Sequence, residues 1–318
     1  MDGKNVFDLI IVGAGTAGIS AAVRAQELQL NYLVLEKGKA LNTFIENYPA
    51  NSTKKILTYP KNINNETNIP FEECTREELL ERWGKMISER KLEINEQERV
   101  LKIQKEEDSF RVYTENNFYD ARFAMVATGV QGVPRRLGAK GEEGSNVFYG
   151  LKEPKKFDGK KVLIVGGGDV AVESALALKD IAEVSVSYRG NEFTKAKEEN
   201  LLATRKAMEE KKVRVIFSSA VSEISDKEVV LDVAGEKKII RNDAVIVCIG
   251  NEMPVELLKN AGMLFDERGK IAISEKNETS VKGLFVAGDV AGLPLIKNAL
   301  NQGKRIAEEI ARRLGKQN

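Results

Sequence analysis

The chain is 318 residues long, carries 49 Lys and Arg against 48 Asp and Glu for a formal net charge of +1, and contains no histidine. That length suits two domains of ordinary size, and the balanced charge argues against a surface drawn to nucleic acid or to an anionic membrane. The missing imidazole removes a common general base, proton relay and metal ligand, and no metal is expected.

No apolar run approaches the ~18 residues that span a bilayer. The first glycine-rich turn begins at Gly13, which leaves no room upstream for a secretory signal. Cys74 and Cys248 lie far apart and suggest no disulfide framework, so a cytoplasmic location is expected. In chain order, an apolar run at 9–12 enters Gly13-Ala14-Gly15-Thr16-Ala17-Gly18, and helical periodicity follows over 19–28. A strand at 32–35 ends at Glu36. A helix over 76–91 opens on a Thr75-x-x-Glu78 capping box and gathers Leu79, Leu80, Trp83, Met86 and Ile87 on one face. Short strands at 100–104, 110–114 and 118–119 form a meander, and a buried strand closes the unit at 123–129.

The order then repeats. An apolar run at 162–165 enters Gly166-Gly167-Gly168-Asp169-Val170-Ala171, followed by a helix over 170–178, a strand at 184–188 and a helix over 198–210. Strands at 213–217, 229–233 and 238–240 precede a closing strand at 244–250. A last strand, ending in Gly288-Asp289, has no glycine turn of its own and is expected to complete the first sheet, with a helix over 297–314 behind it. Strands alternating with helices read as parallel, doubly wound sheets. The fold class expected is α/β: two Rossmann-like, three-layer dinucleotide-binding domains, the second inserted in the first. The first takes residues 1–132 with 252–318 and the second 133–251, where Gly and Pro cluster at the crossings.

In a strand–turn–helix setting the first glycine permits the tight turn, the second lets backbone N–H groups approach a pyrophosphate, and the third position allows close helix packing. Two such turns imply two dinucleotides, the pairing of a flavin with a nicotinamide that pass a hydride. Glu36, 23 residues past Gly13, is placed to accept hydrogen bonds from an adenosine ribose, or is a solvated glutamate at a strand end. The second unit reads Ser187-Tyr188-Arg189 there. An arginine without the acid suits a 2′-phosphate, against the alternative of a surface arginine over the cleft.

With these residues in view, the chain resembles the low-molecular-weight thioredoxin-reductase family over essentially its full length. The carrying residues are Gly13-x-Gly15-x-x-Gly18, Glu36, Asn47-Tyr48-Pro49, Ala127-Thr128-Gly129, Gly166-x-Gly168-x-x-Ala171 and Gly288-Asp289. The resemblance implies FAD in the discontinuous domain, NADPH in the inserted one (NADH not excluded), and a homodimer. It adds Thr16, Ala17, Lys37, Val100, Thr128 and Gly129 to the FAD site and gives Asp289 the ribityl chain. Lys297, Asn298, Ala299 and the loop from Asn42 to Asn47 would lie beside the isoalloxazine, and Gly167, Asp169, Val170 and Gly250 join the NADPH site.

The departure is equally informative. The family's Cys-x-x-Cys, which relays electrons to thioredoxin, is replaced by Tyr149-Gly150-Leu151-Lys152. A phenol and an amine cannot cycle between dithiol and disulfide. Relatives without the pair include ferredoxin–NADP reductases of thioredoxin-reductase type and the bacillithiol-disulfide-reductase-like group, whose members share Tyr188-Arg189-Gly190-Asn191-Glu192. Some of the latter carry a cysteine where this chain has Ala17, and NADPH-specific thioredoxin reductases tend to have a second arginine at the place of Gly190. Cys248 reads as a small buried hydrophobe. Cys74 precedes a helix, where a thiol pKa can be lowered. Lys152, Lys155, Lys156, Lys160 and Lys161 with Arg135 and Arg136 could meet an acidic redox protein, or be a solvated basic loop. The expected function is an FAD-dependent NAD(P)H oxidoreductase without a protein dithiol. Its acceptor would be a ferredoxin-type protein, with a small disulfide or quinone, or a non-catalytic flavoprotein sensor, as alternatives. The flavin carries the chemistry, and no protein acid or base is required.

Overall fold

The structure is a computed structural model that describes residues 6–41, 63–129, 133–194, 196–252, 254–267, 269–292 and 295–316. Its elements run β1 (Phe7–Val12), α1 (Thr16–Glu27), β2 (Tyr32–Leu35), α2 (Arg76–Arg90), β3 (Ile94–Asn95), β4 (Val100–Lys105), β5 (Phe110–Thr114), β6 (Phe118–Val126) and β7 (Val133–Pro134). They continue with β8 (Val147–Tyr149), β9 (Lys161–Val165), α3 (Asp169–Leu178), β10 (Glu183–Ser187), α4 (Glu198–Glu209), β11 (Val213–Ile216), β12 (Ser219–Ile224), β13 (Glu228–Val233) and β14 (Glu236–Arg241). The last are β15 (Ala244–Val247), β16 (Asn251–Glu252), α5 (Val255–Asn260), β17 (Leu284–Val286) and α6 (Ile296–Arg313). The described residues fall into two compact units: one takes the chain up to Val133 and again from Glu252, the other Pro134–Asn251.

The first unit is built on a seven-stranded sheet of order β3-β2-β1-β6-β5-β4, with β17 also paired to β6. β17 runs parallel to β6 with Phe285 opposite Met125, so the late strand does complete the first sheet. β6 is one continuous strand rather than the two separate pieces that its sequence suggests. Ala121 is its pivot, opposite Phe110 in antiparallel β5 and opposite Phe7 in parallel β1. Asp120 and Arg122 interrupt the apolar pattern, yet Asp120 is held across the strands by Arg111, whose Nε and Nη2 donate at 2.7 and 3.1 Å. Ile10, Val12, Leu35, Val126, Leu284 and Val286 share one core cluster. Strands buried in this way read as apolar runs because helices cover a parallel sheet.

Helix α1 begins at Thr16, three residues before its apolar periodicity starts, because Gly18 already belongs to the helix. It packs on α6, where Ser20 Oγ donates to Leu300 O at 2.5 Å. A Cβ on Gly303 of α6 would overlap Ala17 O and stand 2.9 Å from Ala21 N and 3.0 Å from Ser20 Cβ. The capping box of α2 is formed in both directions, Thr75 N–H donating to Glu78 Oε2 at 2.8 Å and Glu78 N–H to Thr75 Oγ1 at 3.3 Å. Of its apolar residues Leu79 and Trp83 are fully buried, while Leu80, Met86 and Ile87 are half-buried. The end of α6 is anchored by Arg313, whose guanidinium donates to both Glu278 oxygens at 2.6 and 2.7 Å and to Glu309 at 2.9 Å, above the Phe285 ring.

The second unit has a parallel sheet of order β11-β10-β9-β15-β8 and a separate antiparallel sheet β12-β13-β14. β8 and β12 were absent from the sequence pattern. The meander that joins the main sheet in the first unit is detached here, where Asn242-Asp243 interrupts the strand run between β14 and β15. Asp243 Oδ2 accepts Lys161 N–H at 2.9 Å and Asn242 N–H donates to Lys227 O at 2.8 Å. The closing strand stops at Val247 rather than Gly250. Among the described residues no helix is long and apolar enough to cross a membrane.

Candidate dinucleotide sites

Gly13, Glu36, Thr128 and Asp289 each lie just past the C-terminal end of a parallel strand, β1, β2, β6 and β17. That edge is where open α/β sheets bind ligands. Gly13 has φ +107°, and a Cβ on it would sit 2.7 Å from Ala127 O; one on Gly18 would overlap Gly13 O. The turn is therefore closed against the sheet at both of these glycines. Gly15 precedes α1 with no side-chain cap, leaving the first-turn N–H groups for an anion.

Glu36 is buried, its Oε2 accepting Ala14 N–H at 2.8 Å and its Oε1 accepting Gly38 N–H at 2.9 Å. Each carboxylate oxygen keeps a further lone pair for a ribose hydroxyl. Lys37 is exposed beside it. Glu98 N–H donates to Glu36 O at 2.8 Å, which brings the start of β4, and Val100, alongside.

The Asp289 carboxyl is half-buried without a hydrogen-bond partner among the described residues, and burial pushes it above its ordinary value. A desolvated, unpartnered acceptor fits a sugar hydroxyl. Gln302, which sequence spacing does not single out, accepts Gly288 N–H through Oε1 at 2.8 Å and fixes this segment against α6. Lys297, Asn298 and Ala299 form the first turn of α6, which has no side-chain cap, and Gly129 takes φ +63° after Thr128. Asn42, Asn47 and the Asn47-Tyr48-Pro49 string lie outside the described residues.

The second turn repeats the geometry. Gly166 has φ +144° and a Cβ there would overlap Cys248 O, past the end of β15; Gly168 precedes α3 without a side-chain cap. Val170 is exposed on the first turn. Gly250, at φ +88°, accepts Arg135 N–H at 3.0 Å. The Asp169 carboxylate instead accepts Lys197 N–H at 2.8 Å and Asn200 Nδ2 at 2.9 Å, so its side chain ties α3 to the approach to α4. Arg189 is exposed, with no partner among the described residues. Both turns thus fit a bound dinucleotide: backbone approach, uncapped helix starts, and a carboxylate in one unit against an exposed guanidinium in the other.

The thiols do not resemble a redox centre. Cys74 is 3% exposed, and burial raises its pKa despite the helix that follows. Cys248 is half-buried rather than fully enclosed, 3.9 Å from Ser174 Oγ, its thiol pushed up to about 12 by burial. Tyr149 donates its hydroxyl to Glu142 at 2.8 Å and accepts from Arg136 Nη1 at 2.8 Å. Burial pushes the Glu142 carboxyl up, but the Leu137 N–H, Tyr149 hydroxyl and Gly138 N–H outweigh it and hold the group below its usual value. Much of the basic loop is already paired: Lys156 with Glu153 at 2.7 Å, Lys161 with Glu183 at 3.4 Å and Arg136 with Glu143 at 3.1 Å.

Known proteins agree with this geometry. Residues 10–288 match the family model described as pyridine nucleotide-disulphide oxidoreductase. The chain is 31% identical to the ferredoxin–NADP reductase of Ignicoccus hospitalis, over 90% of this chain and 91% of the relative. It is also 31% identical to the bacilliredoxin reductase Bdr of Bacillus subtilis, over 96% and 97%. Among solved structures it is similar to the bacillithiol disulfide reductase Bdr of Staphylococcus aureus, with TM-score 0.86, 27% identity and coverage of 97% and 99%. It is also similar to the T. acidophilum thioredoxin reductase, with TM-score 0.78, 25% identity and coverage of 98% and 99%. The chain belongs to the pyridine nucleotide-disulphide oxidoreductase family and is an FAD-dependent NAD(P)H oxidoreductase of thioredoxin-reductase-like fold.

Proposed function

We propose that this enzyme draws two electrons from NADPH through FAD and releases them singly to a small iron–sulfur protein of the ferredoxin class, with no protein dithiol in the path. The balance is one NADPH and two oxidised acceptors giving NADP⁺, a proton and two reduced acceptors. The observation that carries the reading is Tyr149: at the place of the family's first relay cysteine stands a phenol locked between Glu142 and Arg136. The ferredoxin–NADP reductase relatives support the acceptor class.

FAD is assigned to residues 1–132 with 252–318. Gly13, Gly15 and Gly18 would hold its pyrophosphate, Glu36 its ribose and Asp289 its ribityl chain. Residues 133–251 are assigned to NADPH, with Gly166 and Gly168 at the pyrophosphate and Arg189 at the 2′-phosphate. When bound, the flavin supplies two-electron acceptance and one-electron release; the protein supplies position and charge. A cytoplasmic homodimer completes the reading.

A second reading, direct reduction of a small disulfide at the flavin, is favoured by the similarity to the S. aureus bacillithiol disulfide reductase. Anaerobic NADPH should bleach the flavin, and reoxidation by ferredoxin, bacillithiol disulfide or a quinone then ranks the acceptors. Ferredoxin should react fastest. Consumption of the disulfide alone would overturn the first reading, and an unbleached flavin would overturn both.

A further inference from the structure

The two units offer an internal comparison at the end of their second strands. Val12 lies opposite Leu35, and Val165 opposite Ser187. Gly13 N–H donates to Leu35 O at 2.9 Å, and Gly166 N–H to Ser187 O at 3.0 Å. The next residue is therefore the same structural position in both: Glu36 in the first unit, Tyr188 in the second. Glu36 reaches back to Ala14, the residue between the turn's first two glycines. Tyr188 reaches the equivalent residue, Gly167, with its ring.

A Cβ on Gly167 would overlap Cδ2 and Cε2 of that ring and stand 2.6 Å from Cζ. A Cβ on Gly190 would stand 2.7 Å from Cε1 on the opposite edge. Phe193 stacks on the ring at 5.4 Å between centroids and 24° between planes, and is itself braced edge-on by Phe217 at 5.2 Å. Backbone thus closes on both edges of the ring and an aromatic lies along one face. Gly167 and Gly190 have negative φ, so the ring, rather than a left-handed backbone, accounts for glycine at both.

We propose that Tyr188 is a specificity-determining residue for the nicotinamide dinucleotide, which deepens the assignment of NADPH to the second turn and rests on it. A neutral ring fills the place where a carboxylate would face the adenosine ribose. A carboxylate there would accept the 2′-hydroxyl of NADH and repel a 2′-phosphate. The ring does neither, and leaves the phosphate to the adjacent Arg189. It also crowds position 190, so a side chain there, a second cation included, must displace the Tyr188 ring.

The test writes the first unit's residue into the second. Dissociation constants for NADP⁺ and NAD⁺ are measured by calorimetry on FAD-loaded protein without turnover. Tyr188→Glu should weaken NADP⁺ by at least ~30-fold relative to NAD⁺, the scale of an introduced like-charge contact, while Tyr188→Phe keeps the ratio within about threefold of the parent. Gly190→Ala should lower the melting temperature in the parent and be neutral in a Tyr188→Ala background, a readout that needs no cofactor. An unchanged ratio in Tyr188→Glu, with Arg189→Ala still shifting it, would overturn the role of Tyr188 and leave the second turn as the NADPH site. If both variants bind both nucleotides as the parent does, the assignment of the second turn itself fails. Equal effects of Gly190→Ala in both backgrounds would refute the wedged ring.

Discussion

Gly303→Ala sets two effects of opposite sign against each other. In a helix interior alanine is favoured over glycine by about 0.5–1 kcal/mol, so propensity alone predicts a more stable protein. The packing of α6 on α1 predicts the reverse. The new Cβ would overlap Ala17 O and lie 2.9 Å from Ala21 N, against roughly 3.5–4.0 Å for comfortable non-bonded contact. The obstructing Ala17 O and Ala21 N belong to the backbone of a buried helix, so no side chain can swing away to relieve them. The helices must part by roughly 1 Å, stretching the Ser20–Leu300 hydrogen bond. Overpacking of this kind costs about 1–3 kcal/mol, and backbone on the far side puts it at the upper end. The net loss is about 2 kcal/mol, a fall in melting temperature of roughly 4–8 °C. Gly84→Ala is the control: it also sits in a helix, α2, but a Cβ there meets nothing within 4 Å, so it should hold or raise the melting temperature. Thermal melts of both variants in the presence of FAD decide the matter. A Gly303→Ala protein as stable as the parent would refute the packing argument.

Asp289→Asn should raise the stability of the FAD-free protein while weakening FAD by roughly 10- to 150-fold, since burial disfavours the ionised carboxyl but a charge-assisted bond to a hydroxyl needs it. A carboxyl raised above its ordinary 3.8 costs the folded state more as pH rises, so the stability gain should be present at neutral pH and vanish in acid; melts at pH 7 and in acid test it. Arg312, Lys276 and Arg313 hold the Glu309 carboxyl below its ordinary 4.5, so its contribution is present above that value and lost as pH falls beneath it. Glu309→Gln should therefore cost about 1–3 kcal/mol at pH 7 by urea unfolding, with the gap to the parent closing in acid. The Cys74→Ser, Cys248→Ser double variant should keep NADPH-dependent acceptor reduction within a few-fold, because neither thiol is poised as a thiolate. Loss of acceptor reduction with flavin bleaching intact would reveal a thiol relay.

Much of this architecture is legible in the residues because it rests on local rules. The Thr75–Glu78 box states where α2 begins, and the glycine turns state where two sheets start. The final apolar strand, lacking a turn, could only join an existing sheet. What the sequence leaves silent depends on partners distant along the chain. β8 is short and half-buried, and β12 buries Ser219 while exposing Ala220, so neither alternation nor an apolar run marks them. β6 looks broken because Asp120 is charged, but the strand runs on through its ladders with β1 and β5, and Arg111 across the strands answers the charge. At the sites, Gly13 and Gly166 declare themselves by spacing. Nothing in the string Gly166-Gly167-Gly168 reveals that the middle glycine answers to the ring of Tyr188, or that Asp169 spends its carboxylate on Lys197 and Asn200.

The hydrogen bond from Ser20 to Leu300 joins residues 280 apart, and β17 enters the first sheet only after residue 283 has been made. On a ribosome, residues 134–251 emerge as a complete unit while the strands ahead of them still lack their last partner. Domains fold as units, and loop closure delays distant pairings. The second unit should therefore become resistant to protease first, in chains stalled far enough past residue 251 for that unit to have cleared the exit tunnel, with the first unit following only once α6 is free to dock. On the proposed assignment flavin capture draws on Glu36 and Asp289 together and would be the final event of biosynthesis, so apoprotein starved of FAD should fail at its first unit and not at its second.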